Sequence, residues 1–131
     1  MATREIWKPI PDWKGYEASN LGRVRAIDRY IIDANSIMRF YRGKVLAQWK
    51  LWNGYLVTNL GHGNINYYVH HLVMHAFSGP TPKGLEICHN NGDKSDCRLI
   101  NLRYDTRKAN VADRVKHAQN PKRNGRSTGM V

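Results

Sequence analysis

Between Cys88 and Asn110 the chain reads CHNNGDKSDCRLINLRYDTRKAN, and three of these residues, His89, Asn101 and Asn110, stand at telling intervals. A strand, a loop, a second strand and a helix need that spacing to bring distant side chains to one cleft. Hydrolysis of a phosphodiester requires an activated water, neutralisation of the non-bridging oxygens and help for the leaving oxygen. One imidazole and one hard divalent cation can cover all three. The spacing therefore points to a metal-dependent nuclease.

The flanking residues supply the elements. Gly84-Leu85-Glu86-Ile87-Cys88 reads as a short strand, Asn90-Asn91-Gly92-Asp93 as a turn cluster, and Leu99 to Tyr104 alternates apolar and polar as a second strand. A helix follows, RKANVADRVKHAQ, capped by Asp105 or Thr106 and ending before Asn120-Pro121.

These residues resemble the HNH endonuclease family, whose ββα-metal element carries a histidine at the end of its first strand, an asparagine near the second and a ligand on the helix. Two further segments extend the resemblance to the phage homing-endonuclease branch. Tyr68 to Phe77 is similar to the "VHRLV...F" segment that precedes the element, with His71 where arginine is usual. Glu5 to Ile10, followed by Tyr16-Glu17-Ala18-Ser19-Asn20-Leu21-Gly22-Arg23-Val24-Arg25, is similar to the modular DNA-binding motif often fused ahead of it. Together the three cover most of residues 5 to 117.

The resemblance implies roles. His89 would be the general base, Asn101 the residue that braces the loop and orients the histidine, and Asn110 a ligand for one divalent ion, Mg²⁺ or Mn²⁺, with Co²⁺ or Zn²⁺ as alternatives. His70 would be a structural neighbour able to hydrogen-bond the loop that carries the site. The sequence departs from the pattern at Cys88, where the homing-endonuclease branch often supplies an aspartate as second ligand. A thiol suits Mg²⁺ poorly, so weak Mg²⁺ binding, a different metal, or a substitute carboxylate, Asp105 or Asp93, are all open. Cys88 fits equally well as a small buried apolar residue. The pair His71 and His75, four residues apart, fits either a metal site or the packing of a buttress helix.

Charge names the partner class. The 131-residue chain carries a formal net charge of +11 with a sequence pI near 10.0, which calls for a polyanion, and double-stranded DNA fits better than a membrane surface. Arg23 and Arg25 in the N-terminal segment, and Arg107, Lys108, Arg114 and Lys116 on the last helix, are candidates for binding phosphate. The two cysteines, Cys88 and Cys97, form no paired zinc motif and no disulfide framework. No apolar run approaches the roughly 18 residues of a transmembrane helix, and MATREIWKPIPDW lacks a signal-peptide core. The expectation is a soluble intracellular protein, monomer or homodimer, and by resemblance a phage-encoded one acting in the host cytoplasm.

The remaining elements follow from turn chemistry and period. Arg23 to Ile27 alternates basic and apolar as a strand would. Leu46 to Leu51 and Tyr55 to Leu60 flank Trp52-Asn53-Gly54 as a hairpin, and a third strand is expected over Ile65 to Val69. His70 to Phe77 reads as a helix stopped by Ser78-Gly79-Pro80, with Leu72, Val73, Ala76 and Phe77 facing a core. The four tryptophans, Trp7, Trp13, Trp49 and Trp52, are expected in core and rim packing rather than in base stacking. The predicted class is α+β: a β-rich N-terminal module over 1–64, an HNH unit with its basic helix over 65–118, and a basic disordered tail over 119–131, sharing one core. Rival readings are a DNA-binding protein with a decayed site and, from charge and aromatics alone, an RNA-binding protein.

Overall fold

Short antiparallel strands build the N-terminal half of this computed structural model, which describes residues 3–61 and 65–118. The strands β1 (Trp7–Pro9), β2 (Tyr16–Ser19), β3 (Val24–Ala26) and β6 (Lys44–Val45) form one sheet in the order β1-β2-β3-β6. In β3, Val24 and Ala26 point into the core while Arg25 points out, as the alternation of the sequence requires. A separate hairpin, β4 (Arg29–Ile32) with β5 (Met38–Tyr41), projects between β3 and β6.

The Asn-Gly hairpin forms as β7 (Gln48–Lys50) and β8 (Leu56–Asn59). Gly54 sits at φ +92°, and its N–H donates to the Leu51 carbonyl at 2.9 Å, closing the turn. β9 (Asn66–Tyr68) adds to β8 and completes a three-stranded sheet that straddles residue 64. The helix α1 (Val69–Ser78) follows immediately and buries Val69, His70, Leu72, Val73 and Met74. It is the hub of the fold, packed against β1, β2, β3, β8, β9 and the strands that come next.

Those strands are β10 (Leu85–His89) and β11 (Leu102–Thr106), paired antiparallel and followed by α2 (Arg107–Ala118). The start of the second strand of this pair differs from expectation. Leu99–Asn101 is a 3₁₀ turn and β11 begins only at Leu102, because the Asn101 N–H is drawn back to the Arg98 carbonyl at 2.9 Å. The cap of α2 is Thr106, whose Oγ1 accepts the Ala109 N–H at 3.2 Å.

A single core runs through both halves, with Ile10, Tyr16, Ala18, Val24 and Leu60 packed together with Val69, Leu72, Val73, Ile87 and Leu102. The turn after β2 joins the halves at close range. The Asn20 carbonyl accepts the Leu99 N–H at 2.9 Å, and a Cβ on Gly22, which lies at φ +87°, would stand 3.0 Å from the Cys97 carbonyl carbon. The tryptophans divide. Trp13 packs edge-on against Tyr67 at 4.7 Å and Trp7 lies under Arg25, but Trp52 at the hairpin tip is 95 % exposed, contrary to the expected packing. Its place in a tight turn holds it away from the core.

No helix among the described residues is long and apolar enough to cross a membrane. The loop at 62–64, the end of the last helix near Asn120 and the tail at 119–131 lie outside the described residues.

Candidate active site between the β10–β11 hairpin, α1 and α2

His89 ends β10 and is 8 % exposed, and its Nε2 is buried with no hydrogen-bond partner among the described residues. Burial pushes its pKa below the ordinary value, against the opposing pull of the Asp93 and Asp96 carboxylates, so the imidazole is neutral near pH 7. His70 of α1 lies beside it, with ring centroids 5.1 Å apart, and also has a buried nitrogen, Nδ1, without a partner among the described residues. Burial, with the neighbouring His89 and His71, lowers the His70 pKa to about 3.

The loop after His89 is clamped by Asn101. This residue is buried, and its Oδ1 accepts the Asn91 N–H at 3.0 Å while its Nδ2 donates to Asn91 Oδ1 at 3.0 Å and to the Asp96 carbonyl at 2.9 Å. The Asn90 N–H donates to the Asn101 carbonyl at 2.7 Å, and the Gly92 N–H to the His89 carbonyl at 2.9 Å. Asn101 thus holds in place the segment that leaves the strand at His89.

Asn110 faces the hairpin from α2, where its amide nitrogen donates to Glu86 Oε1. The pairing follows from two periods: Glu86 and Cys88 share a face of β10, and Asn110 and Asp113 share the inward stripe of α2. That stripe is polar, so α2 docks mainly through such pairs. Arg103, opposite Cys88 in the strand pair, donates to Asp113 from α2, to Asp105 at 3.0 Å and to Asn90 Oδ1 at 2.5 Å.

The other candidates are placed as follows. Cys88 is 1 % exposed, and burial raises its thiol pKa. Asp105 is engaged by Arg103 and by the Thr106 N–H, while Asp93 accepts from the Ser95 N–H at 3.0 Å and hydroxyl at 2.7 Å. His71 and His75 stack at 5.5 Å, with His75 Nε2 3.2 Å from Thr81 Oγ1. Among the described residues, no three His, Cys, Asp or Glu side chains gather as a metal-binding group. A hard cation is nevertheless compatible with the oxygens of Asn110 and Glu86, since Mg²⁺ commonly takes one or two protein oxygens and keeps its waters. The protonated, buried thiol of Cys88 suits such an ion poorly.

Of the basic candidates, Lys108, Arg114 and Lys116 lie along the partly exposed α2, and Arg107, 81 % exposed, is 3.9 Å from Glu86. Arg23 and Arg25 carry carboxylate partners, Glu5 at 2.5 Å and Glu17 at 2.7 Å, with which a phosphate would have to compete.

Four residues that the spacing did not single out belong to the site: Tyr55, Glu86, Lys94 and Arg103. The Tyr55 ring lies 5.9 Å from His89 and 5.2 Å from His70, and Lys94 Nζ sits 5.0 Å above it. Strand alternation could have placed Glu86 beside Cys88. Nothing local could have placed Tyr55, which comes from the β7–β8 turn.

Residues 5–61 match the NUMOD4 motif, and residues 67–112 match the HNH endonuclease family. A solved structure of DNA binding and cleavage by the HNH homing endonuclease I-HmuI is similar over 88 % of the chain at 27 % identity, with a TM-score of 0.66. The chain spans 60 % of the length of that homing endonuclease. No curated protein matches it. The chain thus carries an HNH endonuclease unit over residues 67–112, which contains His89, preceded by a NUMOD4 motif over residues 5–61.

Proposed function

We propose that this protein is a metal-dependent endonuclease that hydrolyses phosphodiester bonds in duplex DNA, in the manner of a homing endonuclease. The observation that carries the reading is the buried, neutral His89, its Nε2 unpartnered among the described residues, on a loop clamped by Asn101. A nitrogen in that state is a proton acceptor at neutral pH, and His89 takes the proton of a water placed in line with the scissile phosphate. Asn101 keeps the loop, and so the imidazole, in register with the phosphate.

A divalent ion, Mg²⁺ or Mn²⁺ given the oxygen donors, would be held by Asn110 and would supply charge neutralisation at the phosphate and leaving oxygen. Lys108, Arg114 and Lys116 on α2 and the basic residues of the N-terminal half bind the backbone on either side of the cut. The products are 5′-phosphate and 3′-hydroxyl ends. With one site per chain, a monomer nicks, and a double-strand cut takes two copies.

Incubating supercoiled plasmid with wild type and His89→Ala, in EDTA and in Mg²⁺, Mn²⁺, Co²⁺ or Zn²⁺, tests this. Nicking that needs a metal and vanishes in the variant is the expected result. The buried Cys88 and the engagement of Asp105 and Asp113 by Arg103 favour a second reading, a DNA-binding protein whose site has decayed. DNA binding by folded wild type without cutting in any ion would establish that reading instead.

A further inference from the structure

We propose that Glu86, two residues before Cys88 on the same face of β10, supplies the carboxylate that joins Asn110 in holding a hard divalent cation. The inference rests on the metal-dependent reading above and assigns the carboxylate that Cys88 cannot provide.

The argument begins with the strand. Residues 86 and 88 project from one face of β10 toward α2, and register sets Asp105 opposite Glu86 and Arg103 opposite Cys88. Glu86, Cys88, Asp105 and, from α2, Asp113 therefore lie within reach of this face. Three of these are poor ligands for a hard ion. The Cys88 thiol is 1 % exposed and soft. Asp113 accepts from Arg103 Nη2, and Asp105 accepts from Arg103 Nε at 3.0 Å and from the Thr106 N–H at 2.8 Å. A cation drawn to either aspartate would be repelled by the Arg103 guanidinium that both already bind.

Glu86 is differently placed. Its Oε1 takes the Asn110 amide hydrogen, so the carboxylate and the Asn110 amide group are in direct contact. Among the described residues its cationic partner is Arg107, 3.9 Å from Oε2 and 81 % exposed, able to swing toward a phosphate. One carboxylate and one amide oxygen, with the remaining positions left to water and a phosphate oxygen, is the donor set that Mg²⁺ and Mn²⁺ accept. Tyr55 spans the two parts of the site: its ring packs against His89, and its hydroxyl feels the charge of Glu86 and of Arg114.

The test is Mn²⁺ binding, read by electron paramagnetic resonance of free Mn²⁺ during titration of the full chain. It is run in a His89→Ala background, with and without duplex DNA, so that no cutting intervenes. Circular dichroism melts confirm folding of each variant. Glu86→Gln, which can still accept from Asn110, is expected to weaken Mn²⁺ binding by about tenfold to a hundredfold, while Asp105→Asn and Cys88→Ser stay within about twofold. Mn²⁺ binding retained in Glu86→Gln, or lost equally in Asp105→Asn, overturns the assignment of Glu86 and leaves the metal-dependent reading standing. No Mn²⁺ binding by the parent protein, with DNA or without it, overturns both.

Discussion

The Tyr55 ring stands 5.9 Å from the His89 ring, although the two residues come from opposite halves of the chain. Tyr55 rides on the β7–β8 turn, and Lys94, from the loop after His89, reaches back to it, with Nζ 5.0 Å above the ring and 3.3 Å from the Asn53 carbonyl. The N-terminal half thus walls the candidate catalytic residue. Tyr55→Leu is expected to lower single-turnover nicking by about tenfold, through misplacement of the imidazole. Tyr55→Phe keeps the wall and should stay within about twofold. Equal losses in both variants would mean that the hydroxyl, not the ring, matters.

Arg103 ties α2 to the hairpin and to the loop at Asn90. Because the inward stripe of α2 is polar, removing this cation strips the helix of a main anchor. The side chain is a third exposed, so solvent tempers the loss. Arg103→Met is expected to cost about 1–2 kcal/mol in urea unfolding. Hydrogen exchange should quicken in α2 before β2, and uniform exchange would refute the anchoring role.

Asn101→Ala removes the clamp on residues 90–96 and leaves the Asn91 N–H without its acceptor. A cost of about 1–3 kcal/mol is expected for buried partners left unsatisfied. Nicking measured well below the melting transition should fall much further than stability does. Parallel losses would make Asn101 structural only.

Acid should destabilise the fold through His70. Its pKa is about 3 in the folded chain and returns to about 6.5 on unfolding. Above pH 6.5 both states are neutral and His70 has no effect. Between these two values the unfolded chain binds the extra proton, so stability falls as pH drops. His70→Gln should flatten the decline of melting temperature between pH 6.5 and about pH 4, values bracketed by that shift. His89 is shifted the same way, so the acid limb of kcat/KM should fall below its unperturbed value.

Cations on α2 should act through phosphate. Replacing Arg114 or Lys116 by alanine is expected to reduce the slope of log Kobs against log[salt] by about 0.9 for each phosphate no longer neutralised. Arg23→Ala and Arg25→Ala should change it less, since Glu5 and Glu17 already neutralise those side chains. An unchanged slope for all four variants would place the DNA elsewhere.

Much of this protein was legible along the chain. The hairpin signalled by Asn53-Gly54, the helix before Ser78-Gly79-Pro80, the strand ending at His89 and the cap at Thr106 all rest on local chemistry: turn residues, side-chain period and capping oxygens act within a few positions of themselves. The seating of Asn101 behind the loop after His89, and of Asn110 on the helix that follows, is equally local, because strand, turn and helix succeed one another within a few residues. The 3₁₀ turn at Leu99–Asn101 escaped, since its alternation imitates a strand and the Leu99 N–H is held by Asn20, far away in sequence. The placing of Tyr55 against His89, the engagement of Asp105 and Asp113 by Arg103, and the pairing of Glu86 with Asn110 were decided only by tertiary structure. Each depends on which strand faces which, and on the angle at which α2 meets the hairpin. Register and docking angle emerge when a shared core forms, and no local run of residues contains them.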